Sequence, residues 1–198
     1  MGFHHVALAT RDTAATHDFY TNVMGFHLVK VVAAPNPGDH GGWSKHFFYE
    51  TGAADGGMIA FWEIHDSTVR EDYTVDLNLP AGLPGWVNHI AFDAATLAEL
   101  NDHRERWQAH GHHVLEVDHG FCISIYIRDP SANMVEFCHT TRSFTDDEIS
   151  DAQRLLSDPA PALDGHVPMT IVHKPSTVGA DASRRSVLPR PTVPSTPR

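Results

Sequence analysis

Two similar phrases place a histidine at the head of an apolar run: "FHHVALAT", which begins at Phe3 and contains His5, and "NHIAFDA", which begins at Asn88 and contains His89. A third phrase, "NMVEFC", sets Glu136 among apolar neighbours in a stretch expected to be a buried strand. An isolated carboxylate is costly in a low-dielectric interior and needs a partner, which a metal ion would supply. Two imidazoles and one carboxylate that leave coordination positions open make a facial triad suited to Fe(II), and the same donors serve Mn(II) or Zn(II).

The elements that must position these groups come in two matching sets. From Phe3 to Thr10 the pattern is that of a strand, and "DTAATHDFYTNVMGF" then spaces Ala15, Phe19, Val23 and Phe26 along one face of a helix. Asp12 or Thr13 is suited to cap that helix and Gly25 to stop it. Strands are expected at "HLVKVVA", "KHFFYET" and "MIAFWEI", with a Pro/Gly-rich connection from Ala34 to Trp43. After a second such loop, Leu79 to Gly85, the order recurs as strand "VNHIAFD", helix "TLAELNDHRERWQAHG" and strands "HVLEVD", "CISIYIRD" and "NMVEFCHT". Three anchors align the halves: "HVAL" from His5 with "HIAF" from His89, Gly25 with Gly111, and "GGMIAFW" with "SANMVEFC". An internal duplication accounts for all three in the same order.

The expected fold is therefore α+β: one domain, residues 1–141, of two tandem βαβββ modules (1–78 and 86–141) forming an open barrel around a metal site. If each half curls its sheet into half of that barrel, His5 and His89 face each other across a pseudo-twofold axis, while His4 points away by strand alternation. The alignment sets Ala60 opposite Glu136, so the first half withholds a fourth ligand unless a bulge turns Glu63 inward.

Beyond the domain, residues 142–157 read as an amphipathic helix, "TDDEISDAQRLLS", with Thr145 as its cap and acids in its first turn. It is a candidate contact in a homodimer. From 158 to 198 the chain turns to Pro, Ser, Thr and scattered Arg and is expected to be disordered, with "MTIVHK" the one stretch able to add an edge strand. A formal net charge of −11 argues against a surface built for nucleic acid or anionic lipid, and leaves small molecules as partners. No apolar run is long enough to cross a bilayer and no secretory signal is evident, so the cytoplasm is the expected compartment. Cys122 and Cys138, in apolar strands, read as reduced buried thiols.

The phrases "HHVALATRDTAATHDFYTNVMGF", "NHIAF" and "DPSANMVEFC" resemble the vicinal oxygen chelate superfamily, which includes glyoxalase I, extradiol ring-cleavage dioxygenases, methylmalonyl-CoA epimerase, and fosfomycin and bleomycin resistance proteins. The resemblance spans roughly residues 3 to 141 and implies paired βαβββ modules around a divalent metal, with the ligand positions on His5, His89 and Glu136. Glyoxalases and the epimerase usually add a fourth ligand where this chain has Ala60, whereas extradiol dioxygenases use two histidines and a glutamate. They also carry an active-site tyrosine ten residues before the glutamate, where this chain has Tyr126; such a phenol would hydrogen-bond a ring hydroxyl and help its deprotonation. The acid/base histidine of those enzymes falls on Gly56 or Gly57, so the role passes to His46 or His119 if it is filled.

The resemblance thus implies an Fe(II)-dependent ring-cleavage dioxygenase acting with O2 on a catecholic or hydroquinone-like aromatic, in a homodimer. Two other classes fit the same residues: an oxygen-independent lyase, isomerase or resistance enzyme using Lewis-acid stabilisation, and a metal-free binding protein in which the three groups are satisfied structural polar residues. Of the 16 histidines, His103, His110, His112 and His113 read as solvated residues near a helix end. Within the pairs Phe47/Phe48 and Phe61/Trp62, alternation sends one member to each face.

Overall fold

In a computed structural model the chain is described over residues 3–38, 41–52, 56–163 and 165–176. Two open sheets carry the architecture. The first holds β1 (His5–Ala9), β2 (His27–Pro35), β3 (Trp43–Glu50) and β4 (Met58–His65) in the order β1-β4-β3-β2. The second holds β5 (His89–Asp93), β6 (Val114–Asp118), β7 (Cys122–Arg128), β8 (Met134–Thr140) and β9 (Met169–His173) in the order β5-β8-β7-β6-β9. Each module pairs its first and last strands in parallel and the others antiparallel, the βαβββ pattern expected twice over. The sheets stay separate and do not close on each other.

Local chemistry places the helices. Asp12 caps α1 (Thr13–Asp18) by accepting the Ala15 amide at 2.9 Å, and the helix widens into a π turn at Phe19–Val23 before Gly25, at φ 82°, ends it. Thr96 caps α2 (Leu97–Ala109) in the same way, and Gly111, at φ 87°, follows its end. A reciprocal capping box between Thr145 and Glu148 opens α3 (Asp146–Ser157).

One core joins the modules. Phe19, Tyr20 and Phe26 from the first helix region, Phe47, Tyr49 and Phe61 from the first sheet, Trp107 from α2 and Ile125, Val135 and Phe137 from the second sheet are buried together. Phe26 meets Phe92 at 4.9 Å between ring centroids and Phe137 at 6.1 Å, so the helix-bearing faces of both sheets turn toward each other. Tyr20 donates to Asp129 across the same boundary at 3.1 Å. Phe48 and Trp62 lie on the other face of the first sheet, as alternation requires, while Phe47 and Phe61 enter the core.

Two expectations change. The segment from Asp158 is not without structure, because "MTIVH" pairs antiparallel with β6 as β9; residues 177–198, where the disordered tail is expected, lie outside the described residues. His103 and His112 are not solvated: His103 stacks on Phe137 at 3.6 Å and His112 packs edge-on to Phe19 at 5.8 Å, and burial lowers the pKa of both rings. His103 lies in the middle of α2 and His112 just beyond its end, and the ring surfaces they meet come from other elements. Among the described residues no helix is long and apolar enough to cross a membrane.

Candidate metal centre

The duplication is kept to the residue. His5 pairs with Met58 and Ala7 with Ala60 across β1 and β4; His89 pairs with Met134 and Ala91 with Glu136 across β5 and β8. Ala60 therefore occupies in the first sheet the place that Glu136 occupies in the second. Both histidines begin their strands on the sheet face turned away from the shared core.

The second face assembles four of the residues singled out from the sequence. His89 Nε2 lies 3.1 Å from Glu136 Oε2, and Glu136 is only 5% exposed. On the other side of the ring, Nδ1 faces the carbonyls of Trp86 at 3.1 Å and Val87 at 3.3 Å. Those acceptors hold the ring proton on Nδ1 and leave the Nε2 lone pair toward the carboxylate. Two acceptors at that distance repel unless a cation joins them, either a second ring proton or a metal ion, and a histidine whose far nitrogen bonds a carbonyl is oriented as metal-bound histidines are. Tyr126 stands beside Glu136 in the β7–β8 ladder, and its hydroxyl is 3.0 Å from His119 Nε2. Burial first, and then the Glu136 carboxylate, pushes the phenol's pKa up, so Tyr126 is a neutral hydroxyl at ordinary pH.

Asn78 and Asn133 prepare this face. Asn78 is buried, bonds the Asn88 backbone through both its amide oxygen and nitrogen, and so fixes the entry into β5 directly before His89. Asn133 bonds Leu77 N and Val75 O and ties the inter-module linker to the start of β8. Asn78 adjoins the Pro/Gly-rich loop and Asn133 lies within "DPSANMVEFC", but nothing in the sequence gave either residue a role.

The first face assembles the other two. His5 lies 5.9 Å from His46 and 5.4 Å from Phe48 between ring centroids, and its Nδ1 is 2.8 Å from His4 Nδ1. His46 stacks on Trp62 at 3.8 Å, and its buried Nε2 has no hydrogen-bond partner among the described residues. Burial, and then the neighbouring His5, lowers its pKa. Glu63 is on the opposite face, bonded by Lys45, Thr13 and His65. Burial alone would raise its pKa, but those hydrogen bonds outweigh it and hold the carboxyl at about 2.

His5 and the His89–Glu136 pair are not brought together within one chain. Among the described residues no group of three or more His, Cys, Asp or Glu side chains is placed to hold a metal ion. Each sheet instead presents half of the expected constellation on its outward face. The donors of the second half fit a divalent cation in type and orientation. The thiols do not join it as reactive groups: Cys122 is buried, and burial pushes the half-buried Cys138 up to about 12.

The family model described as Glyoxalase/Bleomycin resistance protein/Dioxygenase superfamily matches residues 2–137. Among solved structures, the chain is similar to a glyoxylase/bleomycin resistance protein/dioxygenase domain from Frankia sp. EAN1pec, at 19% identity over 71% of this chain and 98% of that one, with a TM-score of 0.49. It is also similar to a lactoylglutathione lyase from Agrobacterium tumefaciens, at 25% identity over 70% and 92%, TM-score 0.44. A variant of the fosfomycin resistance protein from Listeria monocytogenes, complexed with Mn(II) and 1S,2S-dihydroxypropylphosphonic acid, matches at 20% identity over 71% and 93%, TM-score 0.45. No curated protein matches the chain.

Proposed function

Because the chain belongs to the Glyoxalase/Bleomycin resistance protein/Dioxygenase superfamily, we propose that it is a divalent-metal enzyme whose site is shared between two copies, with His89 and Glu136 from one and His5 from the other. The observation that carries this reading is the His89–Glu136 pair, two acceptors 3.1 Å apart on an outward face, while the first module's matching histidine stands on a face of its own. A homodimer lays the two half-faces together without altering either module.

Within that site the reaction we infer is oxygen-dependent cleavage of a catecholic or hydroquinone-like ring. Fe(II) suits two imidazoles and one carboxylate with positions left open, and Mn(II) or Zn(II) would accept the same donors. When bound, such a metal supplies Lewis acidity and open positions for substrate oxygens. The remaining work falls to side chains of this chain. Tyr126, a neutral phenol, donates a hydrogen bond to a substrate oxygen, and His119, 3.0 Å away, takes up the proton the substrate loses. Phe48 and the stacked His46 and Trp62 offer flat apolar surface to an aromatic ring and keep water from it. Ala60 at the Glu136 position favours this chemistry over lyase or isomerase chemistry that uses a fourth carboxylate, as does the engagement of Glu63 with Lys45 and Thr13.

Oxygen uptake by protein reconstituted anaerobically with Fe(II) and offered catechols and hydroquinones tests the reading. Uptake with a ring-opened product is expected. Iron bound in stoichiometric amount with no uptake on any of them overturns the dioxygenase reading, and turnover of a substrate without oxygen replaces it with the lyase or isomerase.

A further inference from the structure

Helix α3 adjoins the proton-handling pair of the second module. The turn between β6 and β7 is closed by the His119 amide, which donates to the Cys122 carbonyl at 2.9 Å, and the Thr141 amide, just past β8, donates to the Phe121 carbonyl at 2.9 Å. Phe121 is thereby fixed between two rings. His119, whose Nε2 is 3.0 Å from the Tyr126 hydroxyl, has its centroid 6.3 Å away, and Phe144, on the approach to α3, has its centroid 5.2 Å away. A continuous run of rings therefore leads from Tyr126 and His119 to the helix.

At the end of that run lies a groove of about 890 Å³, lined by Phe121 and Phe144 together with Ile149, Ala152 and Leu155 of α3. The three helix residues are spaced three apart and share one face. The helix is held at its start by the Thr145–Glu148 capping box and the Arg142–Glu148 pair, yet buries none of its residues, and Phe144 and Ile149 are exposed. An ordered apolar surface left open in this way marks a binding surface, and the groove is on the scale of small-molecule sites. Its charged residues are all carboxylates, Asp147, Glu148 and Asp151, with no Lys or Arg among the described residues that line it. The helix N-terminus accounts for acids in the first turn, but to a ligand they present negative charge, which admits an uncharged chain and repels a carboxylate.

We propose that this groove takes the side chain of the aromatic substrate: the ring lies at Tyr126 and Glu136, and an uncharged alkyl chain on it passes Phe121 and lies along Ile149 and Leu155. The proposal rests on the ring-cleavage reading of the site and adds a substrate class to it, an alkyl-substituted catechol or hydroquinone in preference to one that bears a carboxylate.

The test uses the full chain reconstituted with Fe(II) and three probes: methylcatechol, hexylcatechol and dihydroxyphenylpropionate. Anaerobic equilibrium dialysis reads binding, and oxygen uptake reads kcat/KM. Hexylcatechol is expected to exceed methylcatechol at least about tenfold in both, since each methylene removed from water is worth about three- to fourfold, and the propionate is expected to be the poorest of the three. The double variant Ile149→Asp, Leu155→Asp should erase the preference for the hexyl chain; Ala152→Trp, which fills the groove and keeps the helix, should do the same, with folding of each checked by circular dichroism. A wild type indifferent to the chain, the result expected if a second copy covers the groove, overturns the proposal, as does a preference that survives both variants. A hexyl preference in binding that the variants abolish, without oxygen uptake on any probe, keeps the groove and sinks the ring-cleavage reading. Oxygen uptake at equal rates on methyl- and hexylcatechol does the reverse.

Discussion

The two modules are duplicates in backbone and register and differ in what they do with equivalent positions. The second has Glu136 where the first has Ala60, Glu116 where the first has Val31, Tyr126 where the first has Phe48, and Ser124 and Cys138 where the first has the stacked His46 and Trp62. One module has become the donor-rich, self-satisfied half, and the other an aromatic and apolar half with exposed surface. A duplicated scaffold needs one pair of imidazoles in common to share a ligand. Once that is kept, every other position is free to specialise, because a side chain on one strand face changes nothing in the ladder that holds it.

The largest test of this contrast is Glu136→Ala, which makes the second module resemble the first. Bound metal, read by mass spectrometry of the desalted protein, and turnover should both fall to background; full metal occupancy would show that the carboxylate is not a ligand. Tyr126→Phe should keep the metal and slow turnover on the order of a hundredfold, within the range of general acid–base contributions. A rate unchanged by the missing hydroxyl would return Tyr126 to a packing role.

The seam between modules is next in size. Tyr20→Phe removes the bond to the buried Asp129, whose own pKa burial already raises, and should cost about 1–3 kcal/mol in urea unfolding. An unchanged midpoint would mean that the Tyr20–Asp129 bond contributes nothing net to the seam, which would then rest on apolar packing and the Arg106–Met24 bond.

Glu63 gives a pH test on the first module. Its folded-state pKa of about 2 lies below the ordinary 4.5, so its contribution to stability is complete above pH 4.5 and is lost as pH falls toward 2. Wild type should accordingly exceed Glu63→Gln in stability at pH 6, with the gap closing on acidification; a gap independent of pH would remove the ionised carboxylate from the explanation. The smallest effect is expected in the β7–β8 turn, where Ala132 holds φ 66° and where the first module's matching connection uses glycines. Ala132→Gly relieves a left-handed conformation and should stabilise the protein by up to about 1 kcal/mol in the same unfolding assay.

Much of this arrangement is legible from local chemistry. Asp12, Thr96 and Thr145 announce their helices because a side-chain acceptor satisfies amides that any helix start leaves open. Gly25 and Gly111 mark helix ends because both adopt positive φ. The in-register match of Ala60 with Glu136 follows from the repeat, since a strand's period of two carries face and partner together. The edge strand β9 was legible only as a weak alternation in "MTIVH", because its stability comes from the β6 edge it covers.

Residue order alone thus determined the two βαβββ modules, the strand faces on which His5, His89 and Glu136 stand, and the neighbours each meets along its own ladder, all of which depend on spacing within a strand or helix. Tertiary structure decided which faces meet. The burial of Phe26 against Phe92 and Phe137 and the Tyr20–Asp129 bond turn the helix-bearing faces inward, leaving the histidine faces outward and apart. Side-chain period says what lies on a face, but the apolar area each pair of faces can bury together selects the pairing, and that is a property of the assembled surfaces.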